Sequence, residues 1–523
     1  MAKLRIDDAR QHARAATAKG DFARAASFWR AIVAAHPEDP EATAALAPDP
    51  ATINAALALY NAKDFAGLQA ALDPLLARYP STALFWTLKG VAAQALKLPA
   101  AASLAIAAAL DPQNPDAHRN HAQALRDEGQ FDAAIAAFRQ SLALRPDPQT
   151  HRLLARHLES AGLIAEAITE YRASLALRPD HASTLANLAT LLHQEGNPAE
   201  AEPLYEKALA ADPGHSRART NLGALKLQNL DFAAAWPLLE SRGRAKDYIT
   251  HSAANDLPLW QGAPCRLLLW GEQGIGDEAL FASLFTDLAA RSQSLTVLCD
   301  PRLLPLFRRS FPSITFESRK APLDPTRFDA QISTSSALAF LRPSLASFWP
   351  AAQGYLCPDP ALRDTLRARL TTPIIGLSWF TSRSGAQEAR KIPLASLVNA
   401  LPPKATLLNL QYGETAADIA EAEARTGRPI LTLPEIDTFN DLDGFSALIA
   451  ACDRVVSIDN STVHFAGALG VPCDVLLPHS AHYRWGQNGA PESYWYRSLR
   501  LFWQPAPGDW ATPLAALTAA NPP

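Results

Sequence analysis

Ile458-Asp459-Asn460-Ser461-Thr462-Val463-His464-Phe465-Ala466-Gly467-Ala468-Leu469-Gly470 joins an apolar strand to the start of a helix. The residues before it, Arg454-Val455-Val456-Ser457-Ile458, are β-branched enough for a buried strand. Asp459, Asn460, Ser461 and Thr462 are all N-cap types, and the Ala/Leu-rich run behind them stops at Gly470. The first amides of such a helix point outward and, with its dipole, attract a phosphate. Asp459 and His464 lie close enough in sequence to reach a ribose or a base. The same residues also suit a plain, well-capped strand-to-helix turn, so the stretch fixes the local fold before it fixes a ligand.

Working outward, the alternation of short strands and helices continues on both sides. Strands are expected at 374–379, 407–411, 430–433, 455–458 and 475–477, with helices at 394–401, 416–426 and 445–451 between them. A proline-rich break at Pro358 to Pro360 precedes this set. An earlier set has strands at 266–270, 295–299 and 328–332 and helices at 279–291 and 301–311. Strands alternating with helices make parallel sheets, so two Rossmann-like lobes are expected, with ligands at the carboxyl ends of the strands in the cleft between them. The expected boundaries are 265–360 for the first lobe and 361–505 for the second. A last helix is expected in 506–523.

Residues 1–245 read differently: Ala-rich, nearly free of β-branched runs, and repetitive with a period of about 34. Pro80, Pro112, Pro146, Pro179 and Pro213 stand at helix ends, and turns recur at Gly129-Gln130-Phe131, Gly162-Leu163-Ile164 and Gly196-Asn197-Pro198. The small pairs Gly90/Ala102, Ala122/Ala134, Ala155/Ala167, Ala189/Ala201 and Gly223/Ala235 are each followed by a larger residue: Ile106, Phe138, Tyr171, Tyr205 and Leu239. Small residues let two antiparallel helices approach, and the larger one plugs the next pair. The period is that of tetratricopeptide repeats, with weaker copies at Gly20-Asp21-Phe22 and Lys63-Asp64-Phe65 giving about seven helix pairs. Such arrays form an α-solenoid that binds peptides on its inner face. Asn120, Asn187 and Asn221 share one repeat position there, interrupted by Leu153. An amide both gives and takes a hydrogen bond, so the column suits a sequence-tolerant grip on an acceptor polypeptide, or plain surface polarity. Residues 246–264 carry the turn formers of a linker.

Composition narrows the function classes. A chain of 523 residues with a net charge of -4 carries no global basic field, which disfavours nucleic acid and anionic membrane as partners. No apolar run reaches the ~20 residues of a bilayer span, and the start lacks the apolar core of a signal peptide, so a cytoplasmic location is expected. The five cysteines form no C-x-x-C pair, and neither a disulfide framework nor a structural metal is expected.

The chemistry-bearing candidates cluster after the predicted strands. Gly271-Glu272-Gln273-Gly274-Ile275-Gly276-Asp277-Glu278 is a Gly-rich turn opening a helix, but its glycine spacing and two acids do not suit a dinucleotide. Asp277 is a candidate general base for an acceptor hydroxyl, with helix capping as its other reading, and Glu278 is the neighbouring alternative. Lys391, just before a helix, is a candidate for neutralising a donor phosphate. Gln411-Tyr412 and Asp459, Asn460, Ser461, Thr462 and His464 end strands that open onto the same cleft.

The G-x-G-D of Gly274 to Asp277 together with the D-x-x-x-x-H-x-A-G-A-L-G of Asp459 to Gly470 resembles the GT-B glycosyltransferases of the lipopolysaccharide-heptosyltransferase kind. Joined to the repeats, the whole chain resembles protein O-linked sugar transferases, most closely the bacterial repeat-bearing flagellin glycosyltransferases. The resemblance implies a metal-independent, inverting transfer with Asp277 as base, and a donor pocket of Lys391, Gln411, Tyr412, Asp459, Asn460, Ser461, Thr462 and His464. It implies a last helix, Trp510 to Ala520, that crosses back to the first lobe, and no cofactor beyond a nucleotide-sugar co-substrate. Flagellin is the acceptor it suggests, and a nonulosonic sugar such as pseudaminic acid, from its CMP form, the donor. The His-Pro pattern of the O-linked N-acetylglucosamine transferases is not found before the donor lobe, so UDP-N-acetylglucosamine is the alternative donor. A non-catalytic repeat scaffold with a nucleotide-binding domain is the rival function.

Overall fold

The computed structural model describes residues 6–19, 21–239, 257–271, 274–348, 354–381, 391–479, 483–486 and 489–522. The chain divides into two compact units, Met1–Leu191 and Leu192–Pro523.

The first unit is a run of paired helices that begins with Ile6–Ala18 and Phe22–Ala35. Their starts are set by side chains that accept the first free amides: Asp39, Asp49 and Asp147 cap helices whose first residue is Pro40, Pro50 or Pro148. The turn inside each pair needs a left-handed residue. Gly129 and Gly162 supply it at φ of 75° and 76°, while the weaker copies place Lys63 and Lys97 there at 58° and 59°. In the later repeats the plugs are fully buried, as expected for Phe138 and Tyr171. The pair at Gly90 differs. Ala102 is exposed and Ile106 is 39% exposed, because Leu104 comes to the place a Cβ on Gly90 would occupy.

In the second unit the helices Pro198–Ala211, Ser216–Gln228 and Phe232–Leu239 continue the array. The last of them packs on the α/β part. Phe232 and Trp236 join the core of the α/β part: Trp236 Nε1 donates to the Arg342 carbonyl at 2.8 Å, and the Phe232 ring lies 4.8 Å from that of Phe348. The compact division therefore precedes the expected boundary at 245. Of the expected linker, 246–256 lies outside the described residues. Residues 257–264 are part of the fold, with Leu259 bridged to Gln331 and Trp260 buried.

The first lobe is a parallel sheet of β1 (Arg266–Trp270), β2 (Ser294–Cys299), β3 (Thr315–Ser318) and β4 (Ala330–Ser333), in the order β3-β2-β1-β4. The second comprises β5 (Ile374–Ser378), β6 (Thr406–Asn409), β7 (Ile430–Leu431), β8 (Arg454–Ile458), β9 (Cys473–Leu477) and β10 (Leu499–Trp503), in the order β10-β9-β8-β5-β6-β7. All its pairings are parallel. Apolar residues on both faces of the central strands explain the burial of β5 and β9 along their whole length. The final helix, Ala511–Ala520, does not cross to the first lobe. Its Leu517 is buried with Ile375, Leu377 and Val456 of the second, and Thr518 Oγ1 donates to the Ala400 carbonyl at 3.1 Å. An apolar seat on its own sheet holds it there. Among the described residues no helix is long and apolar enough to cross a membrane.

Candidate functional site

Each sheet reverses its winding once, between β1 and β4 in the first lobe and between β5 and β8 in the second. The loops that leave the carboxyl ends of strands at such points part and open a crevice. Here they face each other around a cavity of about 300 Å³. Gly274, Ile275, Gly276 and Arg302 line it from the first lobe; Thr381, Tyr412, Thr438, Phe439 and Ser461 line it from the second, over Leu442, Phe445 and Phe465. The helices Ile275–Phe281 and Ser461–Ala468 start side by side. A Cβ on Gly276 would stand 3.1 Å from His464 Cδ2 and 3.2 Å from Ser461 Cα, so glycine is what lets them meet. Arg302 spans the crevice: it holds Asp300 through Nε at 2.9 Å and Nη2 at 3.2 Å, and Nη1 donates to the Phe439 carbonyl at 2.7 Å. Its guanidinium lies 5.1 Å from the centre of the Phe439 ring. A cation, four hydroxyls, four aromatic rings and a helix start around a cavity of this size suit a ligand with a phosphate and a flat ring.

Asp277 sits in the first turn of the Ile275 helix and forms an ion pair with Arg484, from the short helix Tyr483–Trp485 after β9. The pair ties one lobe to the other. Behind it, His464 stacks on Trp485 at 5.5 Å, and its Nδ1 lies 3.2 Å from the Tyr496 hydroxyl. Burial, aided by the Arg484 charge, pushes the His464 pKa down to about 3. The imidazole is therefore neutral and offers a hydrogen bond rather than a charge. Glu278 turns the other way. Its carboxylate accepts the Asp300 N–H at 2.8 Å and pairs with Arg319 at 2.7 Å inside the first lobe. Burial outweighs Arg319 and raises its pKa to about 7.

Of the expected donor residues, Tyr412 and Ser461 line the cavity. Gln411, Asn460 and Thr462 instead form a buried polar joint with Ser378. The Ser378 hydroxyl donates to Gln411 Oε1 at 3.0 Å and accepts from Asn460 Nδ2 at 2.7 Å and Thr462 Oγ1 at 3.2 Å. Gln411 Oε1 also takes the Trp379 and Phe380 amides, and Asn460 Oδ1 caps the helix on Thr462 N. These side chains shape the loops without lining the cavity. Asp459 and His464 are buried behind its wall. Lys391 is not among the cavity residues: it is exposed and pairs with Asp418 at 3.3 Å, because the helix Ala416–Thr426 brings a carboxylate to it. The polar loop 382–390 lies outside the described residues.

Arg302, Thr381, Thr438, Phe439, Ser378 and Arg484 were missed from sequence. All but Ser378 stand on loops or short 3₁₀ turns, where no periodicity marks a side chain that faces a cleft. Of the acceptor candidates, Asn120, Asn187 and Asn221 are each half-buried on the first helix of a pair. Asn120 and Asn187 belong to the first unit and Asn221 to the second. Asn187 hydrogen-bonds the Tyr171 hydroxyl, which donates to Glu159 at 2.9 Å.

Family models described as tetratricopeptide repeat match residues 116–148, 148–214 and 192–245. The chain carries tetratricopeptide repeats. A curated relative, Protein FlbA of Caulobacter vibrioides, is 33% identical over 293 residues, which cover 50% of this chain and 48% of FlbA. The chain thus spans about half the length of that relative. Among solved structures, the repeats are similar to the MamA protein at 21% identity and a TM-score of 0.30, over 31% of this chain and 90% of MamA. YrrB, described as a TPR protein with an unusual peptide-binding site, matches at 19% and 0.30 over 36% of this chain and 95% of YrrB. PilW, a type IV pilus biogenesis factor, matches at 17% and 0.35 over 39% and 96%.

Proposed function

We propose that the chain is a protein O-glycosyltransferase: the tetratricopeptide repeats hold a polypeptide, and the two-lobed part moves a sugar from a nucleotide donor to its Ser or Thr. The observation that carries this reading is the cavity at the carboxyl ends of both sheets, with the Asp277–Arg484 pair beside it. In the proposed reaction the Asp277 carboxylate accepts the proton of the attacking hydroxyl, whose oxygen bonds to the anomeric carbon as the nucleotide phosphate leaves. Arg484 already satisfies that carboxylate, so it must exchange it for another anion, and the donor phosphate supplies one. Tyr412 and Phe439 are the proposed seats for the base. A CMP-activated nonulosonic acid and flagellin are the first donor and acceptor to test, on the strength of the motif resemblance alone.

One finding favours the rival scaffold reading: Gln411, Asn460 and Thr462 are committed to internal hydrogen bonds and Lys391 to Asp418. Melting the purified chain with CMP, UDP, GDP and ADP tests the nucleotide site that both readings contain. A nucleotide that binds only the folded state raises the midpoint. The enzyme reading expects one of the four to do so, with the rise lost in Tyr412→Ala and Arg302→Ala. No rise with any of them overturns the nucleotide site, and sugar transfer to a polypeptide, lost in Asp277→Asn, is what separates the enzyme from the scaffold.

A further inference from the structure

Two neighbouring repeats of the first unit differ in how they hold their arginines. In the helix Pro115–Asp127, Asp116 anchors two of them, Arg119 at 2.7 Å and Arg145 at 2.9 Å, and Arg119 has Asp147 as a second anion at 3.8 Å. One repeat later the arginines recur as Arg152 and Arg178. Gln149 stands where Asp116 would and Asp180 where Asp147 would, while His181 takes over from Asp147 as the cap of the next helix. The carboxylate that anchored both cations has gone, and both cations have stayed. Among the described residues the side chain of neither Arg152 nor Arg178 makes an ion pair or a hydrogen bond. They line a cavity of about 230 Å³ with Gln149, Ser174, His181 and Thr184.

Arg156 and His181 join the two arginines around that cavity, with Asp147 and Asp180 as the nearby carboxylates. Arg152 is half-buried, with Arg156 as a like-charged neighbour. His181 Nδ1 accepts the Thr184 N–H at 3.2 Å, which leaves Nε2 as the ring's N–H donor. Burial, then the charges of Arg152 and Arg178, hold the His181 pKa below its ordinary value. Asp147 also lines the cavity, but its carboxylate is committed to the Thr150 amide and hydroxyl, each at 2.7 Å.

We infer that this cavity binds a carboxylate of a polypeptide, seated between Arg152 and Arg178 as Asp116 is seated between Arg119 and Arg145. A carboxylate is chosen because the chain itself uses one at the equivalent place, and paired guanidinium groups match its two oxygens. The site goes beyond the asparagine column and does not depend on the transfer chemistry.

Fluorescence anisotropy of the full chain tests it, with a labelled, C-terminally amidated peptide of alternating Asp and Ser set against its Asn-for-Asp counterpart. The Asp peptide should bind about tenfold or more tightly. Arg152→Ala should remove the preference. So should Gln149→Asp, which supplies the carboxylate from within and should not lower the melting temperature. Gln130→Asp, the same charge change outside the cavity, should retain it. A neutral peptide with a free C-terminal carboxylate separates sources: binding like the Asp peptide assigns the cavity to a chain end, and failure to bind assigns it to acidic side chains. Equal affinity for the Asp and Asn peptides overturns the inference. So does a preference that survives Gln149→Asp or disappears in Gln130→Asp.

Discussion

Asp277 and Glu278 are adjacent in sequence and opposite in environment. Asp277 reaches across to Arg484 of the second lobe, whereas Glu278 is buried with Arg319 and the Asp300 amide in the first. Of the two, Asp277 is the base of the proposed transfer. Asp277→Asn should leave nucleotide affinity nearly unchanged and lower transfer by roughly two to four powers of ten; full transfer would remove Asp277 from the reaction. Glu278 makes a different prediction. Its folded pKa of about 7 lies above the ordinary carboxylate value, so the stability linked to its proton is present below that ordinary value and is lost as pH rises through about 7. Relative to Glu278→Gln, the natural chain should therefore lose on the order of 1–3 kcal/mol in denaturant unfolding between pH 5 and pH 8. A gap that does not change with pH would contradict the burial argument.

At the scale of elements, the cleft is held in shape by contacts that leave little slack. Ser378→Ala would strip partners from buried Gln411, Asn460 and Thr462 and should cost about 1–3 kcal/mol, with weaker nucleotide binding. Gly276→Ala would press a methyl against His464 and the Ser461 backbone and should also cost about 1–3 kcal/mol. Urea titration with nucleotide melting checks both, and wild-type behaviour would show that the two helix starts are not in this contact. The strands of the sheet centres were legible because β1, β5 and β8 are continuous apolar runs between turn formers. Two edge strands were not: β3 is short and polar at Glu317 and Ser318, and β10 pairs with β9 alone. The Asp459 to Gly470 turn was legible as a capped helix start. Its role was only half legible, since Asn460 and Thr462 are the same residue types whether they hold a phosphate or a loop. Lys391 shows the same limit, because nothing near it in sequence announces Asp418.

For the whole molecule, the boundary matters more than the count of repeats. Composition changes near residue 245, yet Leu227, Phe232, Trp236 and Leu239 belong to the core that also contains Leu267, Phe348 and Trp495. A fragment starting at residue 257 would expose that apolar face and should aggregate or melt several degrees lower than one starting at residue 192. Equal melting of the two would show that the last helix pair is not part of the α/β core. The carboxylate cavity lies within Met1–Leu191, so loss of peptide binding and loss of nucleotide binding should be separable by mutation. The central claim is transfer itself. It is tested most directly by intact-mass spectrometry of flagellin incubated with the full-length chain and a CMP-, UDP- or GDP-activated sugar, beside the Asp277→Asn variant. The account predicts a mass increase of one sugar residue or a multiple of it with the natural chain, absent with Asp277→Asn. No increase with any donor, on flagellin or on any protein of a cell extract, would contradict it.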